Sequence, residues 1–136
     1  MAAANDDEAN LIVHRGKHAF IVLNRFPYTS GHVMVIPYVH AADLGELNDA
    51  ETSEIMSLTR LATFHIRKIY LPGGINIGMN LGEAAGAGVA GHLHMHVLPR
   101  WHGDANFMTT VAETRILPED LPVTWQRLHA AFAEPK

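Results

Sequence analysis

The residues able to do chemistry in this 136-residue chain are concentrated in one stretch, Gly91-His92-Leu93-His94-Met95-His96-Val97-Leu98-Pro99-Arg100. Three histidines stand at i, i+2 and i+4 with apolar residues between them. That period of two predicts a β-strand with one imidazole face and one apolar face. Neighbouring imidazoles on such a face lie roughly 7 Å apart, from a rise of about 3.3 Å per residue. Three cations at that spacing would repel one another, so some of the rings are expected to be neutral at neutral pH. A neutral imidazole is a nucleophile, a base or a metal ligand. An isolated histidine is most often a surface or core residue, but three in strict alternation ahead of Pro-Arg are not isolated. Two chemistries fit: zinc binding, which uses His-x-His plus a third ligand, and covalent catalysis at a phosphoryl centre. Alternate positions of one strand seldom converge three rings on one ion, so a metal would need a further ligand from elsewhere.

The segments just upstream favour the phosphoryl centre. Leu81 to Gly91 contains Gly82, Gly86, Gly88 and Gly91 with a single charge, Glu83. Such a loop lets backbone N–H groups approach an anion closely. Before it, Ile75 to Asn80 alternates as a strand should, with Asn76 and Asn80 on one face. Asparagine is depleted from strands, so the pair points to polar recognition.

The elements that must position these residues are legible in turn. Leu11–His14 and Ala19–Leu23 flank Arg15-Gly16-Lys17 and read as a β-hairpin. His32–Pro37 is a nearly continuous apolar strand, expected in the middle of a sheet, with His32 where a loop enters it. Asp43–Leu47 reads as a short helical turn. One long helix is expected from about Asp49 to Tyr70, opened by Asn48 and Glu51 as a capping box. Its buried stripe is Ile55, Leu58, Leu61, Ala62, Ile66 and Ile69, and His65 is taken as structural or exposed. Leu71-Pro72-Gly73-Gly74 ends it. A short strand is expected at Arg115–Leu117 and a final helix at about Val123–Phe132, with Trp125, Leu128 and Phe132 on its apolar side. The sequence has no repeat or linker, so residues 1–9 are read as a flexible leader with solvated Asp6, Asp7 and Glu8, and 10–136 as a single domain.

A composition 48% hydrophobic and 18% charged describes a globular protein, not a disordered one. The net charge of −4 argues against a nucleic-acid partner. The absence of cysteine rules out disulfides and thiolate metal sites and fits a reducing, cytoplasmic setting. No run is long enough for a membrane span, and the acidic N-terminus has no signal-peptide core.

The triad stretch resembles the signature of the histidine triad (HIT) superfamily, three histidines alternating with apolar residues. Leu23-Asn24-Arg25-Phe26-Pro27-Tyr28 and Gly31-His32-Val33-Met34-Val35-Ile36-Pro37 resemble that family's paired upstream motifs, in the same order and spacing. Arg100-Trp101-His102-Gly103-Asp104-Ala105-Asn106-Phe107 is similar to the tail of a bacterial subgroup that includes diadenosine tetraphosphate phosphorylases. The resemblance implies an α+β fold with an antiparallel sheet, a homodimer whose sheets join, and a small-molecule nucleotide substrate. It implies cleavage of a nucleoside phosphoanhydride, a diadenosine polyphosphate above all, by hydrolysis or phosphorolysis. Purine nucleoside phosphoramidate hydrolysis and nucleotide binding with little catalysis are the alternatives. It assigns His94 as the nucleophile that becomes nucleotidylated, His96 to the scissile phosphate and leaving group, and His92 and His32 to support of the cluster. Asn24 falls at the ribose, and Asn80, Gly88 and Val89 near the phosphates. Relatives often carry Cys-x-x-Cys for a structural zinc and a Ser or Thr hydroxyl just before the triad. This chain has no cysteine, which leaves His40 without a ligand role, and it has Gly88-Val89 in place of the hydroxyl. No protein-bound metal is expected to be required; a divalent cation would arrive with the nucleotide.

Overall fold

The two apolar runs at the start of the chain pair as the expected hairpin, β1 (Ile12–Arg15) antiparallel to β2 (Ala19–Leu23). In this computed structural model residues 6–87, 91–104 and 119–134 are described. Within them β3 (Val33–Pro37), β4 (Gly74–Gly78) and β5 (Met95–Arg100) complete a five-stranded antiparallel sheet in the order β1-β2-β3-β5-β4. β3 is the central strand, with Val33 and Val35 buried and Met34 and Ile36 half-buried.

The long helix, α1 (Asp49–Tyr70), has the expected boundaries because both ends are written in side chains. Glu51 N–H donates to Asn48 Oδ1 at 2.8 Å, and Asn48 N–H donates back to Glu51 Oε1 at 2.9 Å. At the other end Leu71 takes the left-handed conformation, φ +49°, and Pro72 cannot continue the helix. Ile55, Leu58, Ala62 and Ile66 are buried, the isoleucines and the leucine each contributing about 1.5–3 kcal/mol by leaving water. α2 (Leu121–Ala133) packs against β1 and α1. It begins two residues earlier than expected, because Pro122 lies in the first turn, where its missing N–H has no helical partner to lose. The Trp125 indole N–H donates to the Ile12 carbonyl at 2.8 Å. His65 is buried on α1 against the Phe132 ring, centroids 4.6 Å apart.

Two carboxylates tie the N-terminal hairpin down. Glu54 on α1 accepts from the backbone N–H groups of Lys17 (3.1 Å), His18 and Ala19 (2.6 Å), so the hairpin turn is capped by the helix. Asp7 is not a solvated leader charge: it accepts from Arg15 Nη2 at 2.8 Å and Nε at 3.0 Å, and Ile12 N–H donates to the Asp7 carbonyl at 2.8 Å.

Three expectations need correcting or lie out of view. β5 starts at Met95, not at the first histidine. Its ladder with β3 stops at Val35↔Met95; beyond it Pro37 has no N–H to give, and Leu93 N–H turns to the Ala41 carbonyl at 2.7 Å. β4 correspondingly ends at Gly78, paired with His96, so Asn80 lies past the strand and does not share a face with Asn76. The strand expected at Arg115–Leu117 lies outside the described residues. No helix among the described residues is long and apolar enough to cross a membrane.

Candidate active site

Pairing of β3 with β5 brings His32 to the triad, because Val33 stands opposite Val97 and Met34 opposite His96. The loop before His32 is pinned from several sides. Thr29 Oγ1 donates to the Pro99 carbonyl at 3.1 Å, and Ser30 Oγ accepts from Glu119 N–H at 2.7 Å. Gly31 has φ +81°, and a Cβ there would stand 2.8 Å from the Tyr70 ring, so only glycine fits ahead of His32.

Hydrogen-bond direction then follows from which groups can only donate. The backbone N–H of Tyr28 lies 3.3 Å from His32 Nδ1, so that nitrogen is an acceptor and the ring proton is on Nε2. His32 Nε2 is 2.9 Å from His96 Nδ1 and donates to it. His96 therefore carries its own proton on Nε2, the nitrogen turned away from His32. The Tyr28 ring stacks on His32 with centroids 5.2 Å apart, holding the start of this chain of bonds in place.

His94 has the complementary tautomer. Its Nδ1 lies 3.2 Å from the carbonyl oxygen of His92, which can only accept. The neutral ring thus has its proton on Nδ1 and a lone pair on Nε2. The His94 and His96 rings meet edge-on, centroids 4.7 Å apart and planes at 73°. That is closer than regular strand spacing, because His94 precedes β5 and folds back on His92. The pair combines an unprotonated nitrogen on one ring with an N–H donor on the other.

The three rings do not line one face. The His92 side chain turns to Pro37 and His40: Nε2 lies 3.1 Å from the Pro37 carbonyl and Nδ1 lies 3.2 Å from His40 Nδ1. Sequence reasoning dismissed His40 for want of cysteine and did not single out Tyr28 N–H. No sequence pattern announces the latter; the former is signalled only by a histidine closely following β3.

Electrostatics keeps the buried part of this cluster uncharged. His32 is 1% exposed; burial first, then the neighbouring His96 and His94, push it down to about 4 from an ordinary 6.5. Burial, with His94 second, also lowers His96. Both rings are neutral at neutral pH, as the hydrogen-bond directions require.

The remaining expected residues fall around this centre. Asn24 follows β2, and its N–H donates to the His32 carbonyl at 3.1 Å, which places it at the same end of the sheet. Its Oδ1 accepts from Phe26 N–H at 2.9 Å, leaving the amide nitrogen as the side chain's donor. Asn80 is exposed, beside the 3₁₀ turn Glu83–Ala85. In that turn the N–H groups of Ala85, Gly86 and Ala87 all bond to carbonyls of the turn itself, so none of the three faces an anion. Gly88 and Val89 lie outside the described residues. Arg100 forks onto Asp104, with Nε–Oδ2 2.7 Å and Nη2–Oδ1 2.9 Å, and its Nη1 donates to Asn76 Oδ1 at 2.8 Å; this closes the turn after β5.

A structural zinc, which the family resemblance raises, has no matching donor set. Among the described residues no group of three or more His, Cys, Asp or Glu side chains could hold a metal ion. Among the described residues His40 and His92 form a pair with no third ligand.

Comparison with known proteins identifies the family. Residues 5–103 match the HIT domain family. The AP-4-A phosphorylase of Mycobacterium tuberculosis is 44% identical over 127 residues, covering 93% of this chain but only 65% of the relative's length. Among solved structures, a zinc-bound histidine triad family protein from Mycobacterium smegmatis superposes with a TM-score of 0.73 at 26% identity, covering 91% of this chain and 84% of that one. The diadenosine triphosphate hydrolase of Plasmodium falciparum shares the fold alone, with a TM-score of 0.70 at 15% identity over 92% of this chain and 74% of its own. This chain belongs to the HIT domain family.

Proposed function

We propose that this protein is an enzyme of nucleotidyl transfer that cleaves diadenosine polyphosphates through a nucleotidyl-histidine intermediate on His94. The observation that carries this reading is the opposed tautomers of two neighbouring rings, with Nε2 of His94 unprotonated and Nε2 of His96 protonated. His94 Nε2 attacks the α-phosphorus, forming a P–N bond as the bond from phosphorus to the bridging oxygen breaks. His96 Nε2–H bonds to that oxygen and stabilises the charge it gains; groups placed in this way contribute about 3–4 kcal/mol each. A second acceptor, water or inorganic phosphate, then displaces His94 and releases the nucleotide. Asn24, Asn80, Gly88 and Val89 contact the nucleotide, and any divalent cation enters with its phosphates. The name and 44% identity of the M. tuberculosis relative support this substrate class and favour phosphate as acceptor.

The working unit is a homodimer. Among the described residues β4 is a sheet edge with one side unpaired, and Ile77 on it is 49% exposed beside Met56 of α1 at 58%. An unprotected apolar edge of this kind is a template for a second copy, and light scattering of the purified protein reads its mass directly.

A product assay with diadenosine tetraphosphate, run with and without inorganic phosphate, tests the function. ADP and ATP formed only with phosphate is the expected result and makes the enzyme a phosphorylase. AMP and ATP formed regardless of phosphate makes it a hydrolase. No turnover in either tube overturns the reading and leaves a phosphoramidate hydrolase or a nucleotide-binding protein.

A further inference from the structure

We propose that His40 is a positioning residue for His94, acting through His92; this rests on the nucleophile assigned above. The Pro37 carbonyl can only accept, so the proton of neutral His92 sits on Nε2, 3.1 Å away. His92 Nδ1 is then an acceptor, and among the described residues the nitrogen facing it is His40 Nδ1 at 3.2 Å, which donates. The rings meet edge to face, centroids 5.1 Å apart at 77°. Just beyond, Leu93 N–H donates to the Ala41 carbonyl at 2.7 Å.

Three hydrogen bonds therefore clamp residues 92–93 onto residues 37–41, in the segment where the β3–β5 ladder has already stopped. This matters because the carbonyl of His92 accepts from His94 Nδ1–H at 3.2 Å. It is the group that keeps the proton off the attacking nitrogen. His40 also fixes the tautomer of His92: without its N–H, the His92 ring is free to move its proton to Nδ1 and release Pro37. The carbonyl would then lose its fixed direction, and the His94 proton its bias toward Nδ1. In this chain a hydrogen bond between two histidines performs the orienting work.

His40 is exposed, so its replacement leaves the core intact. The test compares His40→Leu, which cannot donate, with His40→Gln, whose amide N–H can reach His92 Nδ1. Steady-state kinetics with diadenosine tetraphosphate is paired with the ¹⁵N tautomer signature of His94 in the free protein. The expected result for His40→Leu is a kcat lowered about tenfold with KM within about twofold, and a smaller Nδ1–H fraction at His94. His40→Gln is expected to recover most of both. Wild-type kcat with an unchanged His94 tautomer in His40→Leu would overturn the proposal, as would stoichiometric zinc in untagged wild-type protein, which would make the two rings ligands. If wild-type protein turns over no dinucleotide, the proposed function fails, and the tautomer measurement still decides the role of His40.

Discussion

His32 and His96 are joined by a 2.9 Å hydrogen bond whose direction is set four residues upstream of His32, by the N–H of Tyr28. Because that N–H can only donate, it dictates the proton position on both rings in succession. A single backbone group thereby decides that His96 carries its proton on Nε2.

Replacing His96 removes that donor. His96→Asn is expected to lower kcat on diadenosine tetraphosphate about 10²–10³-fold. The 4-nitrophenyl ester of AMP, whose leaving group needs no help from a donor, should lose less than about tenfold. Equal losses on the two substrates would assign His96 to a role other than the leaving group.

The same pair makes stability fall in acid. His32 is neutral in the folded protein down to about 4, whereas in the unfolded chain it protonates at its ordinary 6.5. Between those values the unfolded state binds more protons, so stability rises with pH there and is lost as pH falls from about 6.5 to about 4. The shift amounts to about 3 kcal/mol, and His96 and His14, both lowered first by burial, act in the same direction. Urea denaturation at pH 7.5 and pH 4.5 measures it. A His32→Asn variant should lose most of the difference, and an unchanged difference would remove His32 as its cause.

Glu54 tests the fold away from the chemistry. Its carboxylate accepts three backbone N–H groups of the hairpin turn. Glu54→Ala leaves them without that acceptor, and the expected cost is about 1–3 kcal/mol in urea denaturation, with kcat per folded molecule unchanged. A neutral effect would mean that water replaces the carboxylate without loss.

The parts of the molecule that were legible in sequence are those determined by neighbours along the chain. α1 carries its start in Asn48 and Glu51 and its stop in Leu71-Pro72, and β2 is an unbroken apolar run. The central place of β3 followed from its unbroken apolar run. The start of β5 was not legible, because it depends on where a strand 60 residues away runs into Pro37. The histidine run was picked out by its spacing, and the separate roles expected of His94 and His96 came from the family resemblance. His40 was not, because its partner His92 is 52 residues distant and the cue that mattered, a lone pair left by the Pro37 bond, exists only in three dimensions. The α2 boundary slipped because Pro122 reads as a breaker until its place in the first turn is known.

The central claim is that His94 forms a covalent bond to the nucleotide. The most direct measurement is rapid quench of the enzyme with diadenosine tetraphosphate in the absence of phosphate, followed by peptide mass analysis under conditions that preserve phosphoramidates. The account predicts an adenylyl group on the peptide carrying His94, formed at the rate of ATP release and absent from a His94→Asn variant that still binds the nucleotide. An adduct on another residue, or ATP release at full rate with no adduct at any time, would contradict it.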